Sequence, residues 1–135
     1  MISGTQLAQI QRVLDGIGGL DALWVFGSEA SGKTTASSDV DLAALFASPP
    51  SLQGLEQGRA QIEEILGRPV DLIELEAASP VLAMQALRHG RLLVERSATH
   101  RVRFEAALPG RYEDVVLLRR PAERLLRARL AHGRA

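Results

Sequence analysis

A polar loop between two apolar runs constrains the fold of this chain more than any other feature. The apolar stretches predict two consecutive strands, Ala22–Phe26 and Val40–Phe46, and the Gly-, Ser- and Thr-rich segment Gly27–Ser38 predicts a loop or a loop with one helical turn between them. The loop leads directly into the second strand, where the chain presents Asp39 and Asp41.

The loop also matches a phosphate-binding pattern. Gly27–Thr34, GSEASGKT, satisfies G-x-x-x-x-G-K-[ST]. A P-loop needs a helix that starts at its Lys-Ser/Thr pair, because the helix N-terminus and the loop amides together hold the phosphates. Here the pair Lys33-Thr34 is followed by TASSD and then by the next predicted strand. The sequence therefore disfavours a P-loop phosphohydrolase, which stays as an alternative.

A second pattern begins at the same glycine and agrees better with the predicted strands. Gly27-Ser28 is followed, after ten residues, by Asp39-Val40-Asp41. Side chains two residues apart on a strand point to the same face, so Asp39 and Asp41 are expected to project together. Mg²⁺ prefers oxygen ligands and takes one or two carboxylates plus substrate phosphates. We predict a magnesium and nucleotide site, with Gly27 and Ser28 at the phosphates.

A third acid is expected on the next strand. Asp71, in VDLIEL, begins the predicted strand Pro69–Leu75 and could bind metal and help take a proton from an attacking hydroxyl. Glu74 is the alternative, although strand parity puts it on the opposite face from Asp71. A solvated acid at a strand end is the other interpretation of Asp71.

The remaining pattern predicts an α/β (α+β) fold, with a small mixed sheet flanked by helices. The predicted order is helix, strand, strand, helix, strand, helix, strand, and then a helical region from Ala98 to the last basic helix. The first three predicted helices are Gln6–Ile17, which ends at Gly18-Gly19, Leu52–Leu66 and Pro80–His89. A further helical segment begins at Ala98 and is interrupted or kinked at Pro109-Gly110, and a basic helix covers Ala122–Leu130. The predicted edge strand is Arg91–Glu95.

Composition limits the class of protein. With 135 residues and no cysteine, the chain is expected to be one domain without disulfides, and a cytoplasmic location is the default because neither a secretory signal nor a membrane-spanning run is visible. The net charge is zero, but residues 1–87 hold 4 basic and 11 acidic residues, whereas residues 88–135 hold 12 arginines and 5 acids. The arginines indicate solvated helix faces or a basic surface for an acidic partner or for phosphates. Nucleic acid is disfavoured because aromatics are scarce.

Several single residues have ordinary structural interpretations. Trp24 is expected in the core and Tyr112 is expected to pack, whereas His100 and His132, in arginine-rich helices, are expected to be solvent-exposed. His89 is expected near the carbonyls of the helix that it ends. No two histidines have the i, i+4 spacing of a zinc site.

Together the glycine-serine pair, Asp39-Val40-Asp41 and Asp71 resemble the nucleotidyltransferase superfamily that includes polymerase beta. The fragments FGS, SDVDL and VDLIEL, followed by a proline-initiated helix and GRLLVE, are similar to minimal nucleotidyltransferases of the MntA type over roughly residues 7–116. The resemblance implies a minimal nucleotidyltransferase domain over residues 1–118, followed by a basic helix or tail over residues 119–135.

The same resemblance implies a function. Such proteins are antitoxins that transfer AMP from ATP to a tyrosine of a HEPN-domain (HepT-like) toxin, with two Mg²⁺ ions held by Asp39, Asp41 and Asp71. Gly27 and Ser28 would hold the triphosphate. Glu29 stands where many relatives have arginine, and Lys33 could supply that charge. An antitoxin that acts by binding alone, and a small-molecule nucleotidyltransferase, stay as alternatives.

Overall fold

Four helices and four strands are seen in the residues that the computed structural model describes, which are 2–27 and 39–114. In chain order they are α1 (Gly4–Ile17), β1 (Leu20–Phe26), β2 (Val40–Phe46), α2 (Leu52–Leu66), β3 (Val70–Glu74), α3 (Pro80–His89), β4 (Arg91–Glu95) and α4, which covers residues 98–114. The predicted order is confirmed, and the predicted bounds of β2, α2, α3 and β4 match.

Local sequence signals explain where these helices begin and end. The side chain of Ser3 accepts a hydrogen bond from the backbone N–H of Gln6, whose own side chain accepts from the backbone N–H of Ser3. The hydroxyls of Ser51 and Ser79 cap α2 and α3 by accepting from the backbone N–H groups of Gly54 and Leu82. Gly67 ends α2 in the left-handed conformation, with φ of 66°.

The four strands form one mixed sheet in the order β3-β2-β1-β4. β1 pairs antiparallel with both β2 and β4, and β2 pairs parallel with β3. The mixed sheet and the edge position of β4 are therefore confirmed. Direct antiparallel pairing of β1 and β2 is not the strand–loop–helix arrangement in which a P-loop stands.

Helices cover both faces of this sheet. One core layer joins α1 and α2 to the face that carries Leu23 and Leu42, and Gly58 lies directly against Ile17 where the two helices cross. The other layer joins α3 and α4 to the face that carries Trp24, which is buried as expected. Burial of these apolar side chains is the main stabilising contribution to such a fold.

The last helix differs from the prediction. α4 continues without a break through Pro109 and Gly110, both of which are exposed. Proline removes a backbone donor, but Phe104 and Leu108 are buried against the sheet and hold the two helical turns that precede Pro109. The predicted interruption is therefore wrong, the alternative of a kink stays a prediction, and the predicted helix 122–130 lies outside the described residues. Across residues 2–27 and 39–114, no helix has the length and apolarity needed to span a bilayer.

Candidate functional site

The register of β2 and β3 brings two predicted acids together. Asp41 and Asp71 are direct partners in this parallel pair, so their side chains lie on one face of the sheet. Asp41 is half-buried and Asp71 is exposed, and the two carboxyl groups are close enough for Asp71 to act on the ionisation of Asp41. Asp39 is exposed just before β2 and is close enough for its charge to act on Asp41.

The electrostatic state of Asp41 reflects these surroundings. Burial raises the pKa of Asp41, and the neighbouring carboxyl groups of Asp71 and Asp39 raise it further because like charges oppose its ionisation. A carboxylate whose charged form is disfavoured in this way is stabilised when a cation approaches it. The arrangement therefore favours binding of a positive ion or ionised group between Asp41 and Asp71.

Gly27 closes the site from the end of β1. Its φ of 70° lies in the left-handed region, and a Cβ built on it would be 2.5 Å from Oδ2 of Asp41. Only glycine leaves the backbone this close to the carboxylate. The other predicted phosphate-binding residues, Ser28 and Lys33, and the atypical Glu29 lie outside the described residues.

A salt bridge on α2 positions the strand that carries Asp71. The carboxylate of Glu63 accepts from the backbone N–H of Val70 at 3.0 Å, and Nη1 of Arg59 donates to the carbonyl of Val70 at 3.3 Å. Arg59 and Glu63 are themselves paired at 3.0 Å. Hydrogen bonds therefore fix both the backbone N–H and the carbonyl of Val70, the residue before Asp71. The sequence analysis missed this contact, although the i, i+4 spacing of Arg59 and Glu63 was a visible signal.

Glu74 has a different role from the one considered for it. Its carboxylate is buried and accepts from the backbone N–H groups of Glu76 and Ala77, at 3.0 Å and 2.8 Å, in the turn after β3. The parity argument holds, because Leu72 packs with the α1–α2 layer whereas Ile73 packs with the α3–α4 layer. Glu74 caps a turn and is not the third acid of the arrangement.

Asp41 and Asp71 supply two carboxylate ligands of the kind that Mg²⁺ binds. Within residues 2–27 and 39–114, no three His, Cys, Asp or Glu side chains are grouped closely enough to hold a metal ion by themselves. Mg²⁺, however, commonly takes one or two carboxylates and completes its shell with water and substrate phosphates. Asp41 and Asp71 match that donor set, and the three-carboxylate site stays a prediction.

His100 is a residue that the sequence analysis placed wrongly. Its ring is half-buried, Nδ1 lies 2.7 Å from Oδ2 of Asp21, and Nε2 is hydrogen-bonded to Glu76. A carboxylate only accepts hydrogen bonds, so two such partners require both ring nitrogens to donate and the imidazole to be protonated. The hydrogen bonds with Asp21 and Glu76 accordingly raise the pKa of His100. The contact fastens α4 to the end of the sheet away from Asp41.

Comparison with known proteins adds to this geometry. The family model for polymerase beta nucleotidyltransferases matches residues 8–99. The protein adenylyltransferase MntA of Shewanella oneidensis is 31% identical over 84 residues, which are 62% of this chain and 60% of that protein.

Solved structures agree on the fold. A chain of a toxin–antitoxin crystal structure with AMP-PNP has a TM-score of 0.77 at 24% identity, over 90% of this chain and 96% of that one. A chain from a structure of tri-AMPylated Shewanella oneidensis HEPN toxin in complex with MNT antitoxin has a TM-score of 0.72 at 22% identity, over 90% of this chain and 93% of that one. At these identities the likeness concerns the fold.

Proposed function

Because this chain belongs to the polymerase beta nucleotidyltransferase family, we propose that it is an antitoxin that transfers AMP from ATP to a tyrosine hydroxyl of a HEPN-domain (HepT-like) toxin and releases pyrophosphate. The similarity to the adenylyltransferase MntA, and the likeness in fold to a chain from the complex with AMPylated HEPN toxin, support this acceptor and this nucleotide. We propose that the protein meets its partner and carries out this reaction in the cytoplasm.

One observation carries the proposal. Asp41 and Asp71 face each other on adjacent strands, and the backbone of Gly27 lies against Asp41. Transfer of a nucleotidyl group develops negative charge on phosphate oxygens, so a site for it needs carboxylates that concentrate cations where that charge appears. Asp41 meets that need, because burial and the neighbouring carboxyl groups disfavour its charged form until a cation is present.

Asp39, Asp41 and Asp71 are the residues that would hold Mg²⁺, with two ions proposed. When bound, the metal supplies charge neutralisation for the phosphates and for the leaving pyrophosphate. Gly27, Ser28 and Lys33 are proposed to hold the triphosphate, Gly27 because its backbone can approach an anion closely.

Asp71 is proposed to accept the proton of the attacking hydroxyl. It is exposed, so an acceptor side chain can reach it, and it lies directly beside Asp41 on the neighbouring strand.

Label transfer tests the reaction. ATP labelled at the α-phosphate or at the γ-phosphate is incubated with wild-type protein and with a HEPN-domain protein, with and without Mg²⁺. We expect magnesium-dependent label on the HEPN-domain protein from α-labelled ATP only. Asp41→Asn should remove it, whereas Glu64→Gln, which changes an exposed carboxylate on α2, should not.

Other outcomes contradict the proposal in distinct ways. Phosphate release or label transfer from the γ-position alone would favour a phosphohydrolase. Label on an added aminoglycoside but on no protein would favour a small-molecule nucleotidyltransferase. Absence of label in every reaction would favour an antitoxin that acts by binding alone.

A further inference from the structure

A cleft runs along the exposed side of α4 and is not used by the proposed chemistry. Its volume is about 270 Å³, and it is lined by Glu76, His100, Arg103, Phe104, Ala107 and Arg111. Glu76 and Asp21 share the single positive charge of the His100 ring, so these three side chains together carry one net negative charge. Arg103 and Arg111 outweigh it and make the lining of the cleft positive overall.

Arg103 and Arg111 differ from neighbouring arginines in their pairing with carboxylates. Arg96 is bound to Asp15, and Arg101 is bound to both Glu95 and Glu105. Arg103 and Arg111 are exposed, and neither forms an ion pair or hydrogen bond with any residue in 2–27 or 39–114. Among the described residues these two guanidinium groups have no carboxylate partner, so a ligand can pair with them.

The spacing of the pair defines what it can bind. Arg103 and Arg111 are eight residues apart on one helix face, or about 12 Å at 1.5 Å rise per residue. Between them stand the small residues Ala107 and Gly110, and a Cβ added at Gly110 would meet nothing within 4 Å. A partner backbone can therefore approach α4 closely between two cationic ends.

The cleft is also aligned with the candidate site. α4 packs on the same face of the sheet as Ala43, two residues after Asp41. Tyr112, near the end of the described part of α4, shares a small cavity with Arg88 of α3, and α3 leads directly into β4, whose Arg91 pairs with Val25 at the site end of β1. A ligand lying along α4 thus extends from the His100 end of the sheet toward the end where Asp41 lies.

We propose that this cleft docks an acidic segment of the protein acceptor, with carboxylates about 12 Å apart that pair with Arg103 and Arg111. The proposal rests on the proposed function, which supplies a protein as the acceptor. An acidic polypeptide fits better than RNA, because Phe104 is buried and the lining offers no exposed aromatic ring on which bases could stack.

Binding without ATP tests the docking surface separately from the chemistry. The dissociation constant for the unmodified HEPN-domain acceptor is measured for wild type, Arg103→Glu, Arg111→Glu and the double variant, with Arg12→Glu as the matched control. Arg12 is an exposed arginine on α1, on the opposite face of the sheet. We expect each cleft variant to weaken binding about tenfold and the double variant about a hundredfold, with the control unchanged.

Two polymers keep the test independent of the acceptor. Poly-L-glutamate should bind wild type and lose affinity in the double variant and in Arg103→Gln/Arg111→Gln, whereas poly-uridylate of equal charge should bind more weakly. The proposal is overturned if the double variant binds the acceptor within twofold of wild type, if Arg12→Glu weakens binding equally, or if poly-uridylate binds preferentially. Absence of label transfer together with arginine-dependent poly-L-glutamate binding would refute the proposed function alone.

Discussion

Replacement of Gly27 by alanine should separate catalysis from stability. The new Cβ would meet Oδ2 of Asp41 at 2.5 Å, where ordinary contact begins near 3.4 Å, so the carboxylate must retreat by roughly 1 Å. Misplacement of a catalytic group by about 1 Å can cost about a hundredfold in rate. We therefore expect Gly27→Ala to lower kcat for AMP transfer about a hundredfold.

Gly67 supplies the matched control. It has nearly the same backbone conformation, with φ of 66° against 70° for Gly27, but a Cβ there would meet nothing within 4 Å. The left-handed conformation costs alanine about 1–2 kcal/mol in either position. Both variants should therefore lose a similar free energy of unfolding, and only Gly27→Ala should lose activity.

The two quantities are measured on the same preparations, by urea denaturation and by steady-state transfer of α-labelled AMP. The reasoning is refuted if Gly27→Ala keeps a kcat within threefold of Gly67→Ala at equal stability. A comparable loss of kcat in Gly67→Ala would also refute it, because strain alone would then explain the effect.

Three further changes follow from the same contacts. Asp41→Asn should raise the free energy of unfolding at pH 7 by about 1 kcal/mol. Because the pKa of Asp41 is raised in the folded protein, Asp41 makes wild type less stable as the pH rises through that pKa. Urea denaturation between pH 3 and 8 should show this loss of stability in wild type and not in Asp41→Asn. His100→Gln should cost about 1 kcal/mol at pH 6. The raised pKa of His100 means that its contribution is complete below its unfolded pKa of about 6.5 and is lost as pH rises through the higher folded value, so the difference in stability between wild type and variant should shrink as the pH rises. Glu63→Ala should cost about 1–2 kcal/mol by leaving the N–H of Val70 without its acceptor, and should slow transfer more than the exposed Glu64→Ala; equal rates would show that this contact does not position Asp71.

Much of the fold could be predicted because its signals are local. Helical spacing of apolar residues, the serines before α2 and α3, and the apolar runs of β2 and β4 each act within a few residues, and the observed bounds follow them. The pairing of Asp41 with Asp71 was also accessible, because strand parity puts each acid on a definite face.

The features that were missed depend on contacts between distant parts of the chain. His100 contacts Asp21, 79 residues earlier, so nothing near it in the sequence shows that its ring is half-buried. The continuity of α4 through Pro109 depends on burial of Leu108, which local propensity does not contain. In both cases tertiary packing overrides the local preference.

The most direct test of the central claim is growth rescue by a variant that still binds. The HEPN-domain toxin is expressed with wild-type protein or with Asp41→Asn, and binding of each to the toxin is measured alongside growth and tyrosine adenylylation by mass spectrometry. The account predicts that both proteins bind, that wild type alone modifies the toxin, and that wild type alone restores growth. Restored growth with unmodified toxin in the presence of Asp41→Asn would contradict it, because neutralisation would then require binding and no chemistry at the Asp41–Asp71 pair.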